Sequence, residues 1–144
     1  MSEKCKGLHE MLEKLLLIRY PFELELLPLN GIYFFYEKGE STPHTGKQRI
    51  VRIGTHGKSR SLKQRLRDHY NGNREGSIFR KHLGTALLKR AGVSEIWIRE
   101  WRKRRKKSPH WKEFEDVEKM VDKILRSNFS FRVICVDDPS ERKM

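Results

Sequence analysis

Cysteine is nearly absent. Cys5 and Cys135 are the only two in 144 residues, and they stand far apart. They provide neither a metal-ligand spacing nor a disulfide framework, which suits a reducing cytoplasm. Long apolar runs are missing too. The longest near the start, Leu15-Leu16-Leu17-Ile18, is too short to span a bilayer. The opening MSEKCKGLHEM has no apolar core of a signal peptide. Acidic residues are few beside basic ones: 19 Asp and Glu against 32 Lys and Arg, a formal net charge of +13. Solubility needs less charge than that, so an acidic partner is expected, nucleic acid first and an anionic membrane surface second. There are no internal repeats and no linker long enough to divide domains. Apolar residues at 36% and charged residues at 35% make a polar chain, but 10% aromatics are too many for disorder.

What is present centres on Asn30 to Gly57. Gly31-Ile32-Tyr33-Phe34-Phe35-Tyr36 is β-branched and aromatic and reads as a strand, and Ile50-Val51-Arg52-Ile53 reads as a second. Gly39, Ser41, Thr42, Pro43 and Gly46 between them are turn formers, so the pair is a β-hairpin with a long loop. Gly31 opens the first strand and Gly54 closes the second. A "GIY" strand followed by a strand ending in a hydrophobic residue and glycine resembles the GIY-YIG nuclease domain. The second motif is Arg52-Ile53-Gly54, with arginine in place of the second tyrosine. The segment Gly76–Leu87, GSIFRKHLGTAL, is similar to one found in a subgroup that also carries a basic residue there.

The remaining elements follow from periodicity. Leu8, Met11, Leu12, Leu15 and Leu16 predict a helix from Ser2 to about Arg19, ended by Pro21, with Glu23–Leu29 extended behind it. Ser61 with Gln64 is a capping box opening the next helix. That helix places Leu62, Arg65, Leu66 and His69 on one stripe. Spacing alone leaves two readings open for Arg65 and His69: snorkelling to solvent, or function. Ser77 to about Ala91 predicts another helix, stopped at Gly92. Arg80 and His82 lie near its start, either as exposed first-turn residues or as an anion site. Val93–Trp101 alternates and predicts a third strand. Six cations follow, Arg102, Lys103, Arg104, Arg105, Lys106 and Lys107, beside Trp101 and Trp111. A non-specific phosphate role fits this block. Pro109 to about Arg126 predicts a helix whose apolar face is Phe114, Val117, Val121, Ile124 and Leu125. Glu118 is the carboxylate nearest that face and needs a cation or donors there; a salt bridge would serve. Phe129–Val136 is the last strand.

The resemblance implies an α/β fold, a small antiparallel sheet flanked by helices, with an extra N-terminal helix. It divides the chain into a helical extension over 1–29, a nuclease domain over 30–138 and a tail over 139–144. It implies Tyr33 as base, Arg65 on phosphate, with His69 one turn later, and Glu118 on a single divalent metal. An oxygen ligand suits Mg²⁺, with Mn²⁺ as substitute. Arg52 would favour the phenolate of Tyr33, whose ordinary pKa is near 10. The expected activity is metal-dependent hydrolysis of phosphodiester bonds in DNA, with Arg80 and the Arg102–Lys107 block binding nucleic acid. RNA is the second nucleic-acid partner, and no membrane partner is expected. The alternative is a binding module that keeps the fold without catalysis.

Overall fold

The computed structural model describes residues 3–41, 48–57, 60–103 and 112–142. In chain order the elements are α1 (Glu3–Glu13), β1 (Ile18–Arg19), β2 (Gly31–Ser41), β3 (Gln48–Gly54), α2 (Leu62–Asn71), α3 (Ile78–Arg90), α4 (Glu95–Arg102), α5 (Phe114–Asn128), β4 (Phe129–Cys135) and α6 (Pro139–Arg142). They fall into two compact units: Met1–Gln64 with Arg126–Met144, and Arg65–Leu125. Among the described residues no helix is long and apolar enough to cross a membrane.

The first unit is built on a four-stranded sheet in the order β1-β4-β2-β3, all pairs antiparallel. β2 lies between β3 and β4, and every residue from Gly31 to Tyr36 is buried. A central strand buried on both faces needs apolar side chains on both, so its sequence is a continuous run. β3 is an edge strand, and its burial alternates along its whole length. Ile32, Phe34 and Tyr36 pack on Leu12 of α1. Tyr33 and Phe35 point to the opposite face, where Phe35 meets Phe129 and Phe131.

The second unit is helical. Leu88, Ile98, Trp101 and Phe114 form its core. Trp101 also donates from Nε1 to the carbonyl of Lys81 at 2.9 Å, so its polar edge is satisfied inside an apolar cluster.

Three expectations about elements change. Val93–Trp101 is not a strand: α4 occupies Glu95–Arg102. Over nine residues both periods fit, and burial decides. A strand would put Ile96 and Ile98 on one face, yet Ile98 is 4% exposed and Ile96 72%. Ile98 and Trp101, three apart, are the pair that is buried, as a helix requires. The first helix stops at Glu13, where Leu15 N bonds Leu12 O in a tighter last turn. Ile18 is thereby released to pair with Phe131 in the sheet. Glu23–Leu29 is not wholly extended, since Leu24–Leu26 form a 3-10 turn.

Candidate active site

The hairpin sets its motif residues by register. Tyr33 pairs with Gly54 and Phe35 with Arg52, which puts Tyr33 and Arg52 on one face as diagonal neighbours, within reach of long side chains. The Tyr33 ring lies across Gly54: a Cβ built at Gly54 falls on that ring. Glycine is therefore required by close approach at the end of the second motif. Tyr33 is 1% exposed, and Arg52 is half-buried.

Two residues just beyond the second motif hold the start of the first. Gly31 N–H donates to His56 Nε2 at 3.2 Å. Thr55 Oγ1 donates to Gly31 O at 2.7 Å. His56 must accept at Nε2, so its ring proton sits on Nδ1, which faces Gly57 O at 3.2 Å. Side chains thus continue the β2–β3 ladder where backbone pairing ends, two residues before Tyr33.

In the helical unit the predicted residues are tied to one loop. Arg65, half-buried, donates from Nη1 to Gly76 O at 3.1 Å. His69 is fully buried, with Nδ1 2.6 Å from Ser77 Oγ. Ser77 caps α3 by accepting from Arg80 N–H at 3.1 Å. Its hydroxyl keeps one proton and one further lone pair for His69 Nδ1, so which of the two donates follows the tautomer of the ring. Gly76 and Ser77 belong to the turn between α2 and α3, so this turn orients both Arg65 and His69.

Glu118 anchors that turn. Its Oε2 accepts from Arg74 N–H at 3.0 Å and lies 3.5 Å from Arg74 Nη1, while Oε1 accepts from Arg80 Nη2 at 3.1 Å. Arg80 also donates to the carbonyls of His69, Tyr70 and Glu118, at 3.0, 3.4 and 3.1 Å, and its Nη2 lies 2.6 Å from Asp122 Oδ1. Arg74 stacks over Trp101 at 4.5 Å. Both arginines are 0% exposed. Arg80 is therefore not the exposed first-turn cation that a position near a helix start suggests. Burial forces it to find carboxylates, and two are within reach. Tyr70 is buried as well, and burial pushes its phenol well above the ordinary value of 10.0.

This geometry bears on the metal expected at Glu118. The four charges of Arg74, Arg80, Glu118 and Asp122 cancel. A dication at Glu118 would displace guanidinium donors from both oxygens and leave a buried excess of positive charge. Among the described residues no three His, Cys, Asp or Glu side chains converge. As arranged, the residues at Glu118 fit an ion pair and not a metal. Of the basic block, Arg102 and Lys103 are exposed. Arg102 reaches Thr85 Oγ1 at 3.5 Å and Lys103 pairs with Glu100 at 2.7 Å. Arg104, Arg105, Lys106 and Lys107 lie outside the described residues.

Four contributors went unnoticed in the sequence: Thr55, His56, Arg74 and Ser77 as a link between α3 and His69. A threonine and a histidine in the two positions after a motif glycine, and an arginine in a polar turn, carry no periodic signal. Ser77 was legible only as the start of a helix.

A model of the GIY-YIG domain matches residues 7–144. Comparison with curated proteins gives no match, and neither does comparison with solved structures. The match takes in nearly the whole chain, including the hairpin with Tyr33 against Gly54 and the helix carrying Arg65 and His69, and on that evidence the chain belongs to the GIY-YIG family.

Proposed function

We propose that this protein is an endonuclease that hydrolyses phosphodiester bonds in DNA. GIY-YIG domains are nuclease domains in general, which supports the reaction class. The observation that carries the reading is the hairpin register, which lays Tyr33 across Gly54 with Arg52 diagonal to it. A cation on the same face favours the phenolate, the form able to take a proton from water. The hydroxide so formed attacks phosphorus, and the bond to the leaving oxygen breaks. Arg65 offers a fork of donors for phosphate oxygens. His69, one turn after Arg65 on α2, is the candidate donor of a proton to the leaving oxygen. The net charge of +13 supports DNA as substrate. No step is assigned to Glu118.

A second reading is a binding module without catalysis. It is favoured by the ion pairs that occupy Glu118 and by the 1% exposure of Tyr33. Supercoiled plasmid incubated with Mg²⁺ or Mn²⁺, with and without chelator, separates the two, because nucleases of this family typically use a divalent metal. The expected result is nicking by the wild type and a loss of at least about a hundredfold in Tyr33→Phe, with DNA binding kept. Binding with no nicking by the wild type would establish the second reading.

A further inference from the structure

The first unit contains a pocket of about 300 Å³ at the end of the sheet where α5 passes into β4. Three cations line it, Arg19 from β1, Lys38 from β2 and Arg126 from the last turn of α5. Its other described lining residues are uncharged, and Tyr20 and Phe129 give it an aromatic wall. The guanidinium of Arg126 stacks over the Tyr20 ring, 4.8 Å from its centroid, and so is held in place on the pocket wall. The carbonyl end of α5 favours a cation at this point, which stations Arg126 there. Arg19 and Lys38 are exposed and open to a ligand.

Three cations lining one small cavity, with no carboxylate in its described lining, select an anion. The size is at the low end for ligand pockets and suits one phosphate with its sugar. We infer that this pocket is a second phosphate site, one that takes a backbone phosphate of bound DNA remote from the reacting bond. The inference rests on the nucleic-acid part of the functional reading. Lys38 lies five residues beyond Tyr33 on β2, roughly 17 Å along the strand. The pocket's work is to hold register on the duplex, with no reading of base sequence.

The test compares two triple variants in DNA binding as a function of salt. One is Arg19→Gln/Lys38→Gln/Arg126→Gln. The control, Lys4→Gln/Lys89→Gln/Lys119→Gln, removes three exposed cations elsewhere. The pocket variant should lose about tenfold in affinity and lower the slope of log K against log salt by about one. The control should change affinity by less than about threefold. The backbone amides of Ser127, Asn128 and Ser130 should shift in NMR spectra on adding duplex DNA. Loss of Arg126 removes the stack on Tyr20, so Arg19→Gln/Lys38→Gln is measured alongside, with melting temperatures of all variants; it should show the same loss in smaller degree. Equal losses in the pocket variant and the control would overturn the site. So would shifts produced by inorganic phosphate but not by DNA, which would make it a site for free phosphate. Wild-type protein that binds DNA through this pocket yet never nicks it sinks the endonuclease reading alone. Nicking that persists while the two triple variants bind alike sinks the pocket alone.

Discussion

Tyr33 and the pair Arg65 and His69 are held by different physics. In the hairpin, position comes from shape: Gly54 leaves room for the Tyr33 ring, and side-chain hydrogen bonds from Thr55 and His56 to the Gly31 backbone fix the strand on which the ring stands. In the helical unit, position comes from charge: two buried guanidinium groups meet one buried carboxylate, and the turn they secure presents Gly76 O to Arg65 and Ser77 Oγ to His69. A packed hairpin tolerates changes of charge nearby and resists added volume. A buried ion network tolerates neither loss of charge nor loss of a donor. Each unit thus has its own way of being disturbed.

The largest expected effect is at Glu118. Glu118→Gln leaves Arg74 and Arg80 with an uncompensated buried charge and should cost about 3–5 kcal/mol in chemical denaturation. Hydrogen exchange should quicken in α3 and leave the Tyr33–Tyr36 amides unchanged. A Glu118→Gln protein as stable as wild type, with weaker Mn²⁺ binding by calorimetry, would show instead that the carboxylate serves a metal. Next is Gly54→Ala. Its methyl group meets the Tyr33 ring, so a loss of about 1–3 kcal/mol is expected, with quickened exchange in β2 and none in α3. A fully stable Gly54→Ala protein would mean that the ring moves aside freely, and shape would no longer explain Tyr33. The smallest effect is confined to high pH. Tyr70 is raised in the folded state by burial, so its contribution is complete below the unfolded value near 10 and is lost as pH rises above it. Stability should fall by about 1.4 kcal/mol per pH unit there. Tyr70→Phe should lack that fall when unfolding is compared at pH 9 and pH 11, and an unchanged slope would place the titration elsewhere.

The parts of the site that could be read in advance are those written locally. Gly31-Ile32-Tyr33 and Arg52-Ile53-Gly54 declare a hairpin by composition and turn residues, while its register, with two shifts along β2, came only with the structure. Ser61 and Gln64 declare a helix start, and Ser61 Oγ does accept from Gln64 N–H at 3.1 Å. Arg65 and His69 share a helical stripe, which brought them forward without saying what they touch. The partners of Glu118 were not legible. Arg80 is 38 positions away and Arg74 44, and among 32 basic residues nothing in sequence marks two as buried. The stretch from Val93 to Trp101 failed for another reason: nine residues are too few to separate a period of two from one of 3.6.

Amino-acid order alone therefore settled the class of fold, the hairpin, the positions of α2 and α3 to within a few residues, the existence of α5 although it starts at Phe114 and not at Pro109, and the strong positive charge. Each depends on neighbours within a turn or a strand, where covalent spacing decides which side chains share a face. Tertiary structure decided the rest: that α4 is a helix, that Arg80 is buried, that Glu118 is spent on two arginines, and that Arg19, Lys38 and Arg126 line one pocket. Those outcomes depend on which distant segments meet, and burial then makes an unpaired charge costly enough to select its partner. A periodicity names the face a residue occupies, but only the packed chain supplies what lies against it.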